Sequence, residues 1–431
     1  MRVQGNLQGL KEPSKTGRAA VPLLYAALGT AVGVAVGAVV GLFGKGVEFF
    51  SAYGAAHFSL YVWFLPAVGV LTVFMLRRWG HGGIGMEAAF RASRGETRGF
   101  ALRNALFQFA GTWGAHLFCA SVGREGAAMQ IGAAVGDGIG RCLPLPGARK
   151  NLIVAGMAAG FSALFGTPAC ALLFALEVTV VGSIRLRALV AAAFASFAAY
   201  FTAGLCGLSH FTAEIAFSSF SLSLLWRLFV LGALCGLAGL LFCLIRKFAQ
   251  YFFARLVANA YVRALTVGLL LSCLLYLCGG RYAGLGTNLV ELAVSGGRVY
   301  ALDWLVKIVF TAVTLSVGFL GGEVTTFFAA GACLGAVAGE WLGIPAAEAA
   351  CLGYAAVFGA ATNTFIAPVI LCCEVFGGGA AVPAAVVCVT AYLFNFGHSV
   401  YNQRVREDVW TRALRRYRAR SGALPLPRRL Y

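Results

Sequence analysis

Residues 121–136 read SVGREGAAMQIGAAVG, and residues 318–335 read GFLGGEVTTFFAAGACLG. Each sets an acid, Glu125 or Glu323, in a glycine-flanked turn inside apolar sequence, and each turn runs straight into a Gly/Ala-rich stretch. Glycine permits the tight turn. A helix that begins there leaves its first backbone N–H groups without intrahelical partners, and the helix dipole turns that end into an anion site. A glutamate at the head of such a helix can occupy the site with its own carboxylate. Protonation neutralises the carboxylate and lets it leave, so anion entry and proton uptake compete at one place. The bland alternative is an ion pair of Glu125 with Arg124 in a loop at the membrane edge, but intramembrane acids are costly and usually functional.

Outward from these turns, the chain repeats itself. Residues 166–178 (GTPACALLFALEV) and 363–375 (NTFIAPVILCCEV) both pass from a polar break into an apolar helix ending Glu-Val, at Glu177 and Glu374. At the same offset Gly156-Met157-Ala158-Ala159 faces Gly353-Tyr354-Ala355-Ala356, and Phe161 faces Phe358. Gly123-Arg124-Glu125 matches Gly321-Gly322-Glu323 once the offset grows by a single residue. Alanine and leucine matches alone mean little in apolar sequence; the ordered pair of acidic turn and Glu-Val helix end carries the duplication. Repeated halves are common in transporters, whose sites form where broken helices of the two halves meet near the midplane. We place the halves at 20–215 and 216–403, between a segment at 1–19 and a basic tail at 404–431.

Composition sets the solvent. Of 431 residues 60% are hydrophobic and 12% charged, against roughly 25% charged in a soluble protein. Apolar runs recur at 21–43, 60–76, 189–205, 224–244, 265–278 and 308–320. A straight helix needs about 20 apolar residues to cross the hydrocarbon, so some of these span and some are short. Backbone groups in lipid must be satisfied internally, which makes the runs helical. The expected fold is all-α, a polytopic membrane protein in a lipid bilayer.

The formal net charge is +18. Arg404, Arg406, Arg412, Arg415, Arg416, Arg418 and Arg420 crowd the tail, and Arg2, Lys11, Lys15 and Arg18 the opposite end. The positive-inside rule puts both termini in the cytoplasm. Nucleic-acid binding is the rival reading of such a tail, without aromatic or motif support. The first residues lack the apolar core and cleavage site of a signal peptide, so insertion is expected through the first true span. No Cys-x-x-Cys pair has metal-ligand spacing among the 13 cysteines, which read as packing residues, and neither metal nor cofactor is expected. The five histidines (His57, His81, His116, His210, His398) are scattered, so a membrane enzyme has no motif here for a nucleophile with its base or a metal cluster.

The remaining polar positions each carry two readings. Thr325 and Thr326 either cap a helix or donate hydrogen bonds to an anion. Asn363 and Thr364, in the island GAATNTF (359–365), read as N-caps of the next helix. Lys307 either snorkels or balances an acid such as Glu323. Tyr401, in FGHSVYNQ (396–403), is an interfacial anchor or a ligand. GLGTN (284–288) reads as a plain loop, with a structural cation on its carbonyls as the alternative.

At these motifs the chain resembles the CLC family across nearly all of residues 20–405. GREGAAMQIG is similar to the family's GxEGP-type motif and implies that Glu125 is the gating glutamate; FGTPACALLFALEV resembles the helix after that gate, and FGHSVYNQ the segment supplying the central tyrosine, Tyr401. The resemblance implies a homodimer with one ion path per subunit, each subunit made of two inverted-topology halves. Three departures from chloride-carrying members resemble the fluoride/proton antiporter branch. GHGGIGMEAAF puts Met86 at or near the place of the chloride-binding serine, GGEVTT replaces the Gly-Ile-Phe-Ala-Pro turn, and Val178 stands where exchangers carry a second proton glutamate.

Carried over position by position, the resemblance implies a proton-coupled gate at Glu125. Glu323 and Thr325 would line the fluoride path or its proton route, with Tyr401 on the ion and Phe90 offering a ring edge. Thr326 and Asn363 join the candidate ion-binding set. The implied function is export of fluoride against protons from the plasma membrane (the inner membrane in a bacterium), not enzymatic. A chloride or general anion channel or exchanger is the alternative, kept open because Thr326 and Phe365 stand where that branch has prolines.

Overall fold

The computed structural model describes residues 15–80, 85–97, 99–218 and 221–405. Most of the expected terminal segment, nearly all of the basic tail, and His81 lie outside them. Seventeen α-helices follow along the described chain. The first half contains α1 (Lys15–Ala56), α2 (Phe58–Tyr61), α3 (Leu65–Trp79), α4 (Met86–Arg94), α5 (Leu102–Leu117), α6 (Glu125–Arg141), α7 (Ala148–Phe165), α8 (Pro168–Glu177) and α9 (Leu189–Leu205). The second contains α10 (Leu222–Leu256), α11 (Ala260–Leu277), α12 (Thr287–Val294), α13 (Asp303–Ser316), α14 (Val324–Leu342), α15 (Ala346–Thr362), α16 (Ile366–Phe376) and α17 (Ala381–Phe394).

Among the described residues six helical segments are long and apolar enough to cross a membrane: Val21–Ala56, Phe58–Trp79, Leu186–Leu205, Leu222–Leu256, Ala260–Leu277 and Val324–Leu342. The apolar run at 308–320 is not one of them. Its helix, α13, stops at Ser316 after 14 residues, about 21 Å of rise, short of a core about 30 Å thick. The 35 residues of α10 rise about 50 Å and must tilt to fit.

Two inverted-topology halves meet along repeat-related helices. In the first, α6 lies so close to α7 that a Cβ on Gly132 would stand 2.0 Å from the carbonyl oxygen of Gly156. In the second, α14 meets α15 in the same way, with a Cβ on Gly331 placed 2.2 Å from the oxygen of Gly353. Small residues permit this backbone approach in lipid. Phe161 and Phe358, opposite each other in the repeat, stack with ring centroids 6.2 Å apart.

The Glu-Val helix ends join the halves. Glu374, closing α16, accepts the backbone N–H groups of Ala169 and Cys170 at the start of α8, both at 2.8 Å. Glu177, closing α8, accepts those of Phe365 (2.8 Å), Ile366 (3.4 Å) and Ala367 (3.2 Å) at the start of α16. These carboxylates do the capping expected of Asn363 and Thr364. Asn363 instead ends α15 in the left-handed region at φ 55°, and the Thr364 hydroxyl pairs with that of Thr362 at 2.9 Å.

Two further expectations change. Cys142, Cys206 and Cys278 are exposed, so packing does not account for all thirteen cysteines. Lys307 does not balance Glu323: its ammonium donates to Ser121 Oγ (3.0 Å) and to the carbonyls of Tyr282 (3.1 Å) and Gly284 (2.7 Å). GLGTN is therefore more than a plain loop, because its first carbonyl receives this fixed ammonium. The clasp predicts that Glu374→Ala, which strands two N–H groups, lowers stability by about 2 kcal/mol or more, and Glu374→Gln by less. Thermal unfolding of the purified protein in detergent checks this; equal midpoints would show that the clasp is dispensable.

Candidate ion-binding site

The two acidic turns pair directly across the molecule. Gly123 N–H donates to the Gly322 carbonyl (2.5 Å) and Gly322 N–H to the Gly123 carbonyl (2.7 Å), an isolated antiparallel bridge. Helices α6 and α14 therefore begin side by side in the interior.

Glu125 is the first residue of α6 and is buried. Its carboxylate does not simply cap its own helix. It accepts the backbone N–H of Thr325 at 3.2 Å and the Thr325 hydroxyl, both from α14, together with the Arg124 N–H at 3.1 Å. The acid of one half thus occupies the helix N-terminus of the other. The Arg124 guanidinium turns away toward Glu48, 3.8 Å distant, so no pairing with Arg124 accounts for Glu125. A cavity bounded by Arg124, Glu125, Phe165, His210, Thr325 and Tyr354 opens beside the carboxylate.

The segment after α17 carries Tyr401 into the interior. Tyr401 is buried, and its hydroxyl has no hydrogen-bond partner among the described residues. A buried hydroxyl without a protein partner is one that a water, a ligand or an ion can satisfy. Several ties hold the segment. Val400 N–H donates to Ala361 O (2.9 Å), and Gln403 Nε2 donates to Val178 O and Thr362 O, each at 2.9 Å. Residues Arg404–Val405 then run parallel to Val180–Val181 as a short two-stranded ladder. Phe90, fully buried one turn after Met86 in α4, meets Tyr401 edge to face, with centroids 5.5 Å apart at 86°. Met86 itself is buried at the first position of α4.

Glu323 stands at the N-cap of α14 and makes no side-chain capping bond there. The interior therefore gathers Glu125, Thr325, Glu323, Phe90 and Tyr401, with Met86 one turn away. Two candidates point elsewhere. Thr326 faces α13, its hydroxyl 2.9 Å from that of Thr311. Asn363 accepts a hydrogen bond from Asn395 Nδ2 at 3.2 Å and helps hold the turn before Tyr401. Sequence reasoning missed Gln130 and Gln108. Gln130 Oε1 accepts from Gly85 N–H and from Gln108 Nε2, both at 2.8 Å, and so ties the turn before Met86 to α5 and α6. Polar residues in Gly/Ala-rich helix were the available signal.

Paired broken helices with a carboxylate on the facing N-terminus define a polytopic membrane protein of the channel and transporter class. Residues 67–395 match the voltage gated chloride channel family, and the chain belongs to that family, the CLC proteins. It is similar to the chloride/fluoride channel protein of Pseudomonas syringae pv. tomato, 33% identical over 332 residues, covering 72% of this chain and 73% of that one. The H(+)/Cl(-) exchange transporter ClcA of Yersinia pestis is 27% identical over 308 residues, 66% of this chain and 62% of ClcA. Among solved structures, a CLC-type fluoride/proton antiporter superposes with a TM-score of 0.87 at 37% identity, covering 92% of this chain and all of that one.

The geometry predicts that Thr325→Val, which removes a donor that an anion replacing Glu125 would use, slows ion flux in liposomes at low anion concentration by about ten- to a hundredfold, since hydrogen bonds to charged groups are worth about 1.5–3 kcal/mol. Thr325→Ser retains the flux. Wild-type rates in the valine variant would remove Thr325 from the site.

Proposed function

We propose that this protein exports fluoride in exchange for protons, with Glu125 as the protonatable gate. The observation that carries the reading is the Glu125 carboxylate held on the Thr325 N–H and hydroxyl, at the start of the facing half's helix. An anion needs those same donors. While ionised, Glu125 occupies them; protonation removes its charge and weakens its hold, and the donors become free for an anion. Proton uptake and anion binding are then linked through one set of hydrogen bonds.

The walls favour a small, strongly hydrogen-bonding anion. Met86 brings no hydroxyl to hold chloride, whereas Thr325 and the unpaired Tyr401 hydroxyl are donors, and the ring edge of Phe90 carries positive potential. Glu323, beside the same path, gives protons a second carboxyl. The similarity to a fluoride/proton antiporter structure supports the same reading. The two missing prolines do not weaken it. Thr326 points at Thr311, and Phe365 packs against Tyr392 with its N–H on Glu177, both away from the donors that hold Glu125. With the family resemblance come a homodimer with one path per subunit and a plasma-membrane location with cytoplasmic termini.

Fluoride efflux from liposomes, followed with a fluoride electrode and a pH electrode and repeated with chloride, tests the reading in wild type and Glu125→Gln. Fluoride efflux that takes up protons, excludes chloride and fails in the variant is expected. Comparable chloride flux would make the protein a general anion pathway, and fluoride efflux without proton uptake would end the exchange mechanism.

A further inference from the structure

Helix α5 carries a polar register of which the ion site uses only Gln108. Gln108, Thr112 and His116 recur every fourth residue along one face and are buried, 1%, 0% and 1% exposed. Asn104, 2% exposed, continues the register toward the start of the helix. Gln108 Oε1 and Thr112 Oγ1 have no hydrogen-bond partner among the described residues, and the ring nitrogens of His116 find no well-formed hydrogen bond, with only the Gly123 backbone at hand. A single orphaned atom in a membrane helix is unusual, and a line of them along one face is a pattern.

The seam reaches the gate turn at two points. Gln108 Nε2 donates to Gln130 Oε1 (2.8 Å), and Gln130 Nε2 donates to the Gly126 carbonyl (3.1 Å) in the first turn of α6. The His116 ring lies by Gly123 and Arg124, on the other side of the same turn. The opposite end of α5 begins beside a hydrophilic edge. There Phe100 N–H donates to Asp137 (2.8 Å), which also pairs with the partly exposed Arg141 and Arg149. Successive rungs are about 6 Å apart along the axis, the span of two hydrogen bonds through one water. Buried waters satisfy polar groups of this kind.

We propose that the α5 seam holds a file of bound water that carries protons from the Asp137 edge to the turn of Glu125, beside the anion path rather than through it. The inference rests on the proton-exchange reading above. The Thr112 hydroxyl and the neutral imidazole of His116, where a proton arriving on one ring nitrogen releases the proton on the other, can each pass a proton on, while the Gln108 amide oxygen orients the water beside it. No net charge is left in the seam after each transfer.

Thr112→Val keeps the shape and removes the station, and Thr112→Ser restores it; His116→Leu tests a second rung. In liposomes, Thr112→Val is expected to slow fluoride efflux and proton uptake together by about tenfold, with the KM for fluoride unchanged and the thermal midpoint equal or higher. The serine variant should recover the rate. Wild-type flux in both Thr112→Val and His116→Leu, or a raised KM at unchanged maximal rate, would overturn the seam. Should Thr112→Val fail to give a monodisperse protein, His116→Leu decides. Fluoride efflux without proton uptake in the wild type itself would instead sink the exchange reading, and the proton role of the seam with it.

Discussion

The start of a helix broken inside a membrane is the constraint on which this structure depends. Its first N–H groups have no intrahelical partner, and hydrocarbon supplies none. Here each half satisfies starts of the other's helices with a carboxylate. Glu374 serves α8, Glu177 serves α16, and Glu125 serves α14, while Gly123 and Gly322 pair their backbones between the two acidic turns. Neither half can complete this set alone.

The three carboxylates differ in what surrounds them. Glu177 and Glu374 close their helices with two or three backbone N–H groups each, in a mutual clasp that has no reason to open. Glu125 borders a cavity, and its acceptor atom shares a hydroxyl with two N–H groups. The same dipole logic therefore gives two enclosed joints and one carboxylate that borders open space. Beside that carboxylate, Lys307 sets a chain of hydroxyls in order. Its ammonium donates to Ser121, which lies 3.0 Å from Thr311, itself 2.9 Å from Thr326. This chain ties the start of α14 to α13, so the donors facing Glu125 are held still by groups that never touch it.

Much of the site was legible before any coordinates. The glycine-flanked acids marked helix starts, and the repeated Glu-Val ends marked equivalent helices. The function of those ends was not legible, since a carboxylate at a helix C-terminus is unfavourable by its own helix dipole. Only the antiparallel meeting of α8 and α16 makes each of them an N-cap for the other. For the same reason Asn363 read as a cap it does not provide: the helix it precedes is capped from the opposite half.

Composition, apolar run lengths and the duplicated motifs by themselves determined an all-helical membrane protein in two halves with acids at broken helix starts. Those are properties of local sequence against a lipid solvent. Tertiary structure decided which half's carboxylate sits on which half's helix, where Lys307 finds its acceptors, and that Thr326 faces α13 while Thr325 faces Glu125. Each of these depends on partners roughly 15 to 200 residues away in sequence, as the separations of 15 for Thr311 with Thr326, 186 for Lys307 with Ser121 and 200 for Glu125 with Thr325 record. Hydropathy and helix periodicity describe how a segment meets its solvent; they do not say which distant donor will meet a given carboxylate.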